Sequence, residues 1–161
     1  MTNKSNELEF LGRPFSALRP NHETVNEIIA PPYDVITRAE ARELATDKPF
    51  SFLRVSRAEL EMDDDLDPYD KSVYERAHKN LSKLRSAGKL LLEDKACFYV
   101  YQIRNSTHRQ TGLALSASVR AYKQNNIRKH ELTRHAKETD RTTQIETVTV
   151  SYTHLRAHET P

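Results

Sequence analysis

One cysteine, three glycines and no tryptophan among 161 residues narrow the field of functions before any motif is sought. A single thiol, Cys97, cannot make a disulfide framework or a thiolate metal cluster within the chain. The glycines stand far apart, at Gly12, Gly88 and Gly112. Walker loops and dinucleotide fingerprints need clustered glycine so that backbone can approach phosphate, and both are excluded. Charge of one sign is lacking too, since 25 Lys and Arg against 23 Asp and Glu leave only +2. A dedicated nucleic-acid binder depends on surplus cations facing phosphates, so nucleic acid is not the expected partner. The longest apolar runs, Leu90–Leu92 and Ala96–Tyr101, are too short to span a bilayer. The opening Met-Thr-Asn-Lys-Ser-Asn-Glu has no apolar stretch of the signal-peptide kind. With 37% apolar and 30% charged residues, the expected setting is cytoplasmic, with no membrane partner and an oligomeric state left open.

The two ends carry separate expectations. Residues 1–9 are polar and expected to be disordered. Val150–Pro161 reads as a translated sequencing-library adapter, not native sequence. That reading sets aside the metal-site look of His154 and His158, and no metal ligands are assigned. Residues 10–149 are then expected to be the truncated N-terminal part of a larger domain.

Between the ends, local signals predict an α+β fold, a small mixed or antiparallel sheet with two to three helices. Phe10–Leu18 suits a short opening strand. Ala30-Pro-Pro-Tyr-Asp-Val-Ile36 is stiffened by its prolines into an extended stretch. Thr37-Arg-Ala-Glu40 is a capping box that opens a helix to about Ala45. Phe50–Ser56 reads as a strand, and the acidic Arg57–Leu66 as a solvated loop. Asp67-Pro68 then opens a helix whose face is Val73, Tyr74, Ala77, Leu81 and Leu84, ended by Gly88. Ala96–Ile103 fits a central strand, with Cys97 as an inert core thiol. Arg104–Arg109 supplies a turn, and the alternation from Leu113 to Tyr122 predicts the second arm of a hairpin, broken at Gln124–Asn126.

One segment could carry chemistry. From Lys129 to Arg141, nine of thirteen residues are charged or imidazole. On a helix, His130, Arg134, Lys137 and Arg141 share one stripe, and Glu131, His135 and Glu138 the next. Leu132, Ala136, Thr139 and Thr143 would be left as a weak core face. Cations beside carboxylates are what phosphoryl transfer uses: Arg and Lys hold phosphate oxygens, and a carboxylate takes the hydroxyl proton or holds Mg²⁺. On residues alone, a solvated helix with local pairs such as Glu138–Arg141, each about 0.2–0.5 kcal/mol, has the advantage. Asp34, after two prolines and Tyr33, is a carboxylate on a rigid loop that turn chemistry explains equally well.

Several blocks taken together carry a resemblance. They are Arg13-Pro-Phe15 with Leu18-Arg-Pro20, Ala30-Pro-Pro-Tyr-Asp-Val35, Ser51-Phe-Leu53 with Val55-Ser-Arg57, and Asp67-Pro-Tyr69. Tyr99-Val-Tyr101, Gln110-Thr-Gly112 and the run Lys129–Arg141 complete the set. In this order the blocks resemble a bacterial family catalogued as domain-of-unknown-function family 1015, over its N-terminal part. More distantly that family is similar to free-serine kinases on the ParB/sulfiredoxin-like fold.

The resemblance implies a phosphotransferase acting on a small hydroxyl substrate, with Lys129, His130, Arg134, Lys137 and Arg141 on phosphate. Glu131 or Glu138 would be base or Mg²⁺ ligand, and Asp34 would position the substrate. Mg²⁺ with ADP, ATP or pyrophosphate is the implied donor system. The alternatives are a non-catalytic ParB-like nucleotide- or DNA-binding module, or an inactive truncated fragment. The chain departs from the family pattern at His135, where proline is common.

Overall fold

The computed structural model describes residues 11–128 and 134–148. In chain order the elements are β1 (Gly12–Arg13), β2 (Leu18–Pro20), α1 (Val25–Ile28), α2 (Arg38–Ala45) and α3 (Leu53–Ser56). A 3-10 turn (Ala58–Glu61), α4 (Lys71–Ser86), β3 (Leu90–Leu92), β4 (Tyr99–Arg104) and β5 (Arg109–Ala114) follow. The last are β6 (Ser116–Ala117), α5 (Val119–Lys123) and α6 (His135–Val148). The mixed α+β class is as expected, but among the described residues six helices replace the two to three predicted, and the strands there form separate pairs instead of one sheet. The chain falls into two compact units, one of residues 11–18 with 92–128 and one of residues 19–91 with 134–148.

The second unit is mostly helical. The capping box forms as the sequence predicts: the Thr37 side chain accepts from the Glu40 amide, and Glu40 accepts from the Thr37 amide at 2.6 Å. This helix buries Ala41 and Ala45 against Leu53 and Leu60, with Ala30 and Ile36 packed alongside. Phe50–Ser56 is not the predicted strand. Ser51 Oγ accepts from the Leu53 amide at 3.3 Å, a local bond that competes with extended backbone, and α3 follows. The alternating burial of Ser51, Leu53 and Val55 suits either geometry in so short a run.

Residues 57–66 are also not simply solvated, because Ala58, Glu59 and Leu60 are buried. Arginines make this possible by satisfying the backbone there. Arg38 Nη2 donates to the carbonyls of Glu59 (2.7 Å) and Asp63 (2.8 Å), and Arg42 Nε to that of Leu60 (3.0 Å). Arg54 reaches the Ala45 carbonyl at 2.7 Å and the Glu61 carboxylate at 2.6 Å.

Helix α4 starts later than predicted. Asp67 closes its own turn, accepting from the Tyr69 amide at 2.9 Å, so the cap passes to Asp70, which accepts from Ser72 at 2.8 Å. The predicted face is correct: Val73, Tyr74, Ala77, Leu81 and Leu84 are all buried. Gly88 ends the helix region with φ +64°, the left-handed geometry that favours glycine. Strand β2 pairs with β3.

In the first unit, β1 and β6 are antiparallel, with Gly12 opposite Ala117. The predicted opening strand is reduced to β1 and a bridge between Phe15 and Cys97. Strands β4 and β5 make a hairpin, pairing Tyr99 with Ala114 through to Arg104 with Arg109, so its second arm takes in Arg109 of the predicted turn and shares only Leu113 and Ala114 with the predicted arm. Its turn is tied by Asn105, whose side chain accepts from the His108 amide at 2.6 Å.

Three expectations fail in this unit. The hairpin is not central, for Val100 is 74% exposed and its partner Leu113 57%, and Cys97 is exposed instead of buried. Past Ala114 the predicted arm continues only as β6, which pairs with β1, and Ser118 accepts from the Ala121 amide at 3.2 Å and starts α5 where alternation predicted strand. The chain turns at Asn125 (φ 60°), inside the predicted break.

Candidate anion site on helix α6

Within the second unit, Tyr33 of the proline-stiffened loop is the meeting point of two arginines. From one side Arg57 Nη1 donates to the Tyr33 and Ile36 carbonyls, each at 2.8 Å, which fixes the loop backbone. Arg57 is matched by Glu59, the Nε to Oε1 distance being 2.5 Å, with the Glu59 side chain only 9% exposed. The Arg141 guanidinium lies 4.2 Å from the centroid of the Tyr33 ring, and the Lys137 ammonium 6.0 Å from it. A cation over the ring face is held by the aromatic quadrupole. Lys137 and Arg141 are four residues apart on α6, so one helix face delivers both.

The inner face of α6 is polar. It buries Asp140, Gln144 and Val148 at a spacing of four, where the sequence suggested Leu132, Ala136, Thr139 and Thr143, the first of which lies outside the described residues. Ala136 and Thr139 are exposed and Thr143 is half-buried. The buried polar groups are satisfied, as low-dielectric burial demands. Gln144 Nε2 donates to the Val55 carbonyl at 3.0 Å. Asp140 accepts from the Tyr74 hydroxyl at Oδ1 (2.9 Å), and from Arg141 at Oδ2 through Nε (3.0 Å) and Nη2 (2.6 Å). Burial, and then the hydrogen bond to Asp140, push the Tyr74 phenol well above the ordinary tyrosine value.

The sequence candidates are thus divided. Lys137 and Arg141 come together at Tyr33, beside which Asp34 lies half-buried on the same loop. Arg134 immediately precedes α6 and accepts two helix-opening bonds at its carbonyl, from Lys137 (2.9 Å) and Glu138 (3.0 Å). Its side chain and that of Glu138 are exposed. Lys129, His130 and Glu131 lie outside the described residues.

Sequence reasoning passed over Tyr74, Asp140, Arg57 and Glu59. Tyr74 looked like one more apolar face residue, and Asp140 one more charge in a charged run. Only the adjacency Asp140-Arg141 was there to be noticed.

Among the described residues, no three His, Cys, Asp or Glu side chains cluster as a ready metal cage. Mg²⁺ needs no such cage, since it takes one or two carboxylates with phosphate and water. Exposed Glu138 is a donor of that kind. Among the described residues no helix is long and apolar enough to cross a membrane.

A family model described as "Protein of unknown function (DUF1015)" matches residues 13–155. No curated protein and no solved structure matches the chain.

Proposed function

The chain belongs to the DUF1015 family of proteins of unknown function, and from that premise we propose that it binds phosphate at α6 and transfers a phosphoryl group to a small hydroxyl substrate. The observation that carries the reading is the convergence of Lys137 and Arg141 on Tyr33. Two cations delivered to one point by a single helix, beside a carboxylate-bearing loop, suit an anion whose charge grows in the transition state.

Arg134, Lys137 and Arg141 hold the phosphoryl oxygens, with Lys129 and His130 as further cations. Asp34 orients the hydroxyl substrate, and Glu131 or Glu138 takes its proton or holds Mg²⁺. The metal, when bound, neutralises charge on the donor phosphates. The hydroxyl oxygen forms the new P–O bond while the donor's bridging P–O bond breaks, its electron pair leaving with the remainder of ATP, ADP or pyrophosphate. The ParB-like ancestry suggested by sequence resemblance belongs to this same proposal.

Phosphorus NMR of the chain with serine, Mg²⁺ and each donor in turn tests it. A new phosphomonoester signal is expected with at least one donor. Pyrophosphate binding without any such signal makes the protein a non-catalytic phosphate-binding module. Pyrophosphate titrations that are unchanged by Arg134→Ala with Lys137→Ala remove the site itself.

A further inference from the structure

Tyr74 and Asp140 lie too deep to meet a ligand directly. Both are buried, at 5% and 7% exposure. Yet they form a chain that ends on the proposed anion site: the Tyr74 hydroxyl on Asp140 Oδ1, Asp140 Oδ2 on the Arg141 Nε and Nη2, and the Arg141 guanidinium over Tyr33. We propose that Tyr74 and Asp140 are positioning residues that set the direction of the Arg141 guanidinium, so that it arrives at the anion site preorganised.

Arginine has high rotamer entropy, and an unconstrained one must lose it on meeting an anion. Asp140 removes that loss in advance by gripping two nitrogens of Arg141 through one oxygen. Asp140 itself cannot swing, because its other oxygen is tied to Tyr74 on α4, a helix anchored by Val73, Ala77, Leu81 and Leu84. The buried, largely apolar face of α4 thereby fixes a cation on a helix whose own inner face is mostly polar. The Arg141 side chain remains 26% exposed, against 7% for Asp140, so the charge is presented outward while its counter-charge stays inside.

The inference rests on the anion reading for its purpose but not for its geometry, and two measurements keep them apart. The first is ¹⁵N NMR of the Arg141 Nε–H, identified by its loss in Arg141→Gln. Slow hydrogen exchange is expected in the native chain, accelerated about tenfold or more in Asp140→Asn and about three- to tenfold in the milder Tyr74→Phe. Exchange that is fast in the native chain, or unaltered in Tyr74→Phe, overturns the positioning role. The second is a double-mutant cycle on pyrophosphate affinity. Tyr74→Phe is expected to weaken binding about three- to tenfold in the native background and to have no effect in the Arg141→Gln background. An equal effect in both backgrounds marks a general structural role and overturns the proposal. Absence of pyrophosphate binding in the native chain, with the exchange result as expected, overturns the anion reading alone.

Discussion

The Tyr74 hydroxyl donates to the Asp140 carboxylate across 2.9 Å, joining residues 66 positions apart in the sequence and docking α6 onto α4 through a buried polar contact. Helices of this length are marginal by themselves, so α6 depends on what its inner face meets. Here that face offers hydrogen-bonding groups more than apolar area.

The first prediction concerns alkaline stability. Tyr74 has its phenol pKa raised in the fold above the ordinary 10.0. Its contribution is therefore fully present below about pH 10, where the unfolded chain also keeps the proton, and declines as pH rises above that value. The native chain should lose stability more steeply than Tyr74→Phe between neutral pH and strong alkali in urea melts. Parallel curves for the two would remove the linkage.

A second prediction follows from the Arg57 clamp. Arg57→Met deletes the donors to the Tyr33 and Ile36 carbonyls and leaves Glu59 buried without its guanidinium. A loss of about 3–5 kcal/mol is expected by chemical denaturation, the range for breaking a buried pair from one side. Replacing Glu59 by Gln in the same chain should recover part of it, since the stranded charge is gone.

Gln144 gives the third. Its amide donates to the Val55 carbonyl at 3.0 Å in a buried setting. Gln144→Leu keeps bulk but leaves that carbonyl unsatisfied, which costs about 1–3 kcal/mol. Thermal unfolding should show the loss, and a neutral result would mean that water reaches Val55.

The fourth tests the capping box. Thr37→Ala should cost about 1 kcal/mol, the usual worth of such a cap. The hydrogen bonds from the Thr37 amide and hydroxyl hold the Glu40 carboxyl below its ordinary value of 4.5. The cap's contribution is thus present above that value and is lost as pH falls through the lowered one. Circular dichroism across acid titration should find the difference between native and Thr37→Ala chains shrinking toward low pH.

What the sequence made legible was local or periodic. The Thr37–Glu40 box, the five-residue face of α4 and the Gly88 stop each follow from short-range rules, and each is found where predicted. Phe50–Ser56 and Val119–Lys123 failed for a common reason. A side-chain hydroxyl, Ser51 in one and Ser118 in the other, bonds a nearby amide and tips an ambiguous apolar pattern into helix. The inner face of α6 was illegible because a search for apolar periodicity passes over Asp140 and Gln144, whose burial depends on partners remote in sequence. The convergence of Lys137 and Arg141 was half visible. Their shared stripe could be read from spacing, whereas Tyr33 as its target required the fold.

The guanidinium groups of Arg38, Arg42 and Arg54 each reach across to main-chain oxygens on another segment, often several at once. Lysine carries the same charge but cannot span two carbonyls with a rigid planar fork. Exchange of one cation for the other at these places would keep the electrostatics and unfasten the joints, so tolerance to mutation here should follow donor geometry and ignore charge.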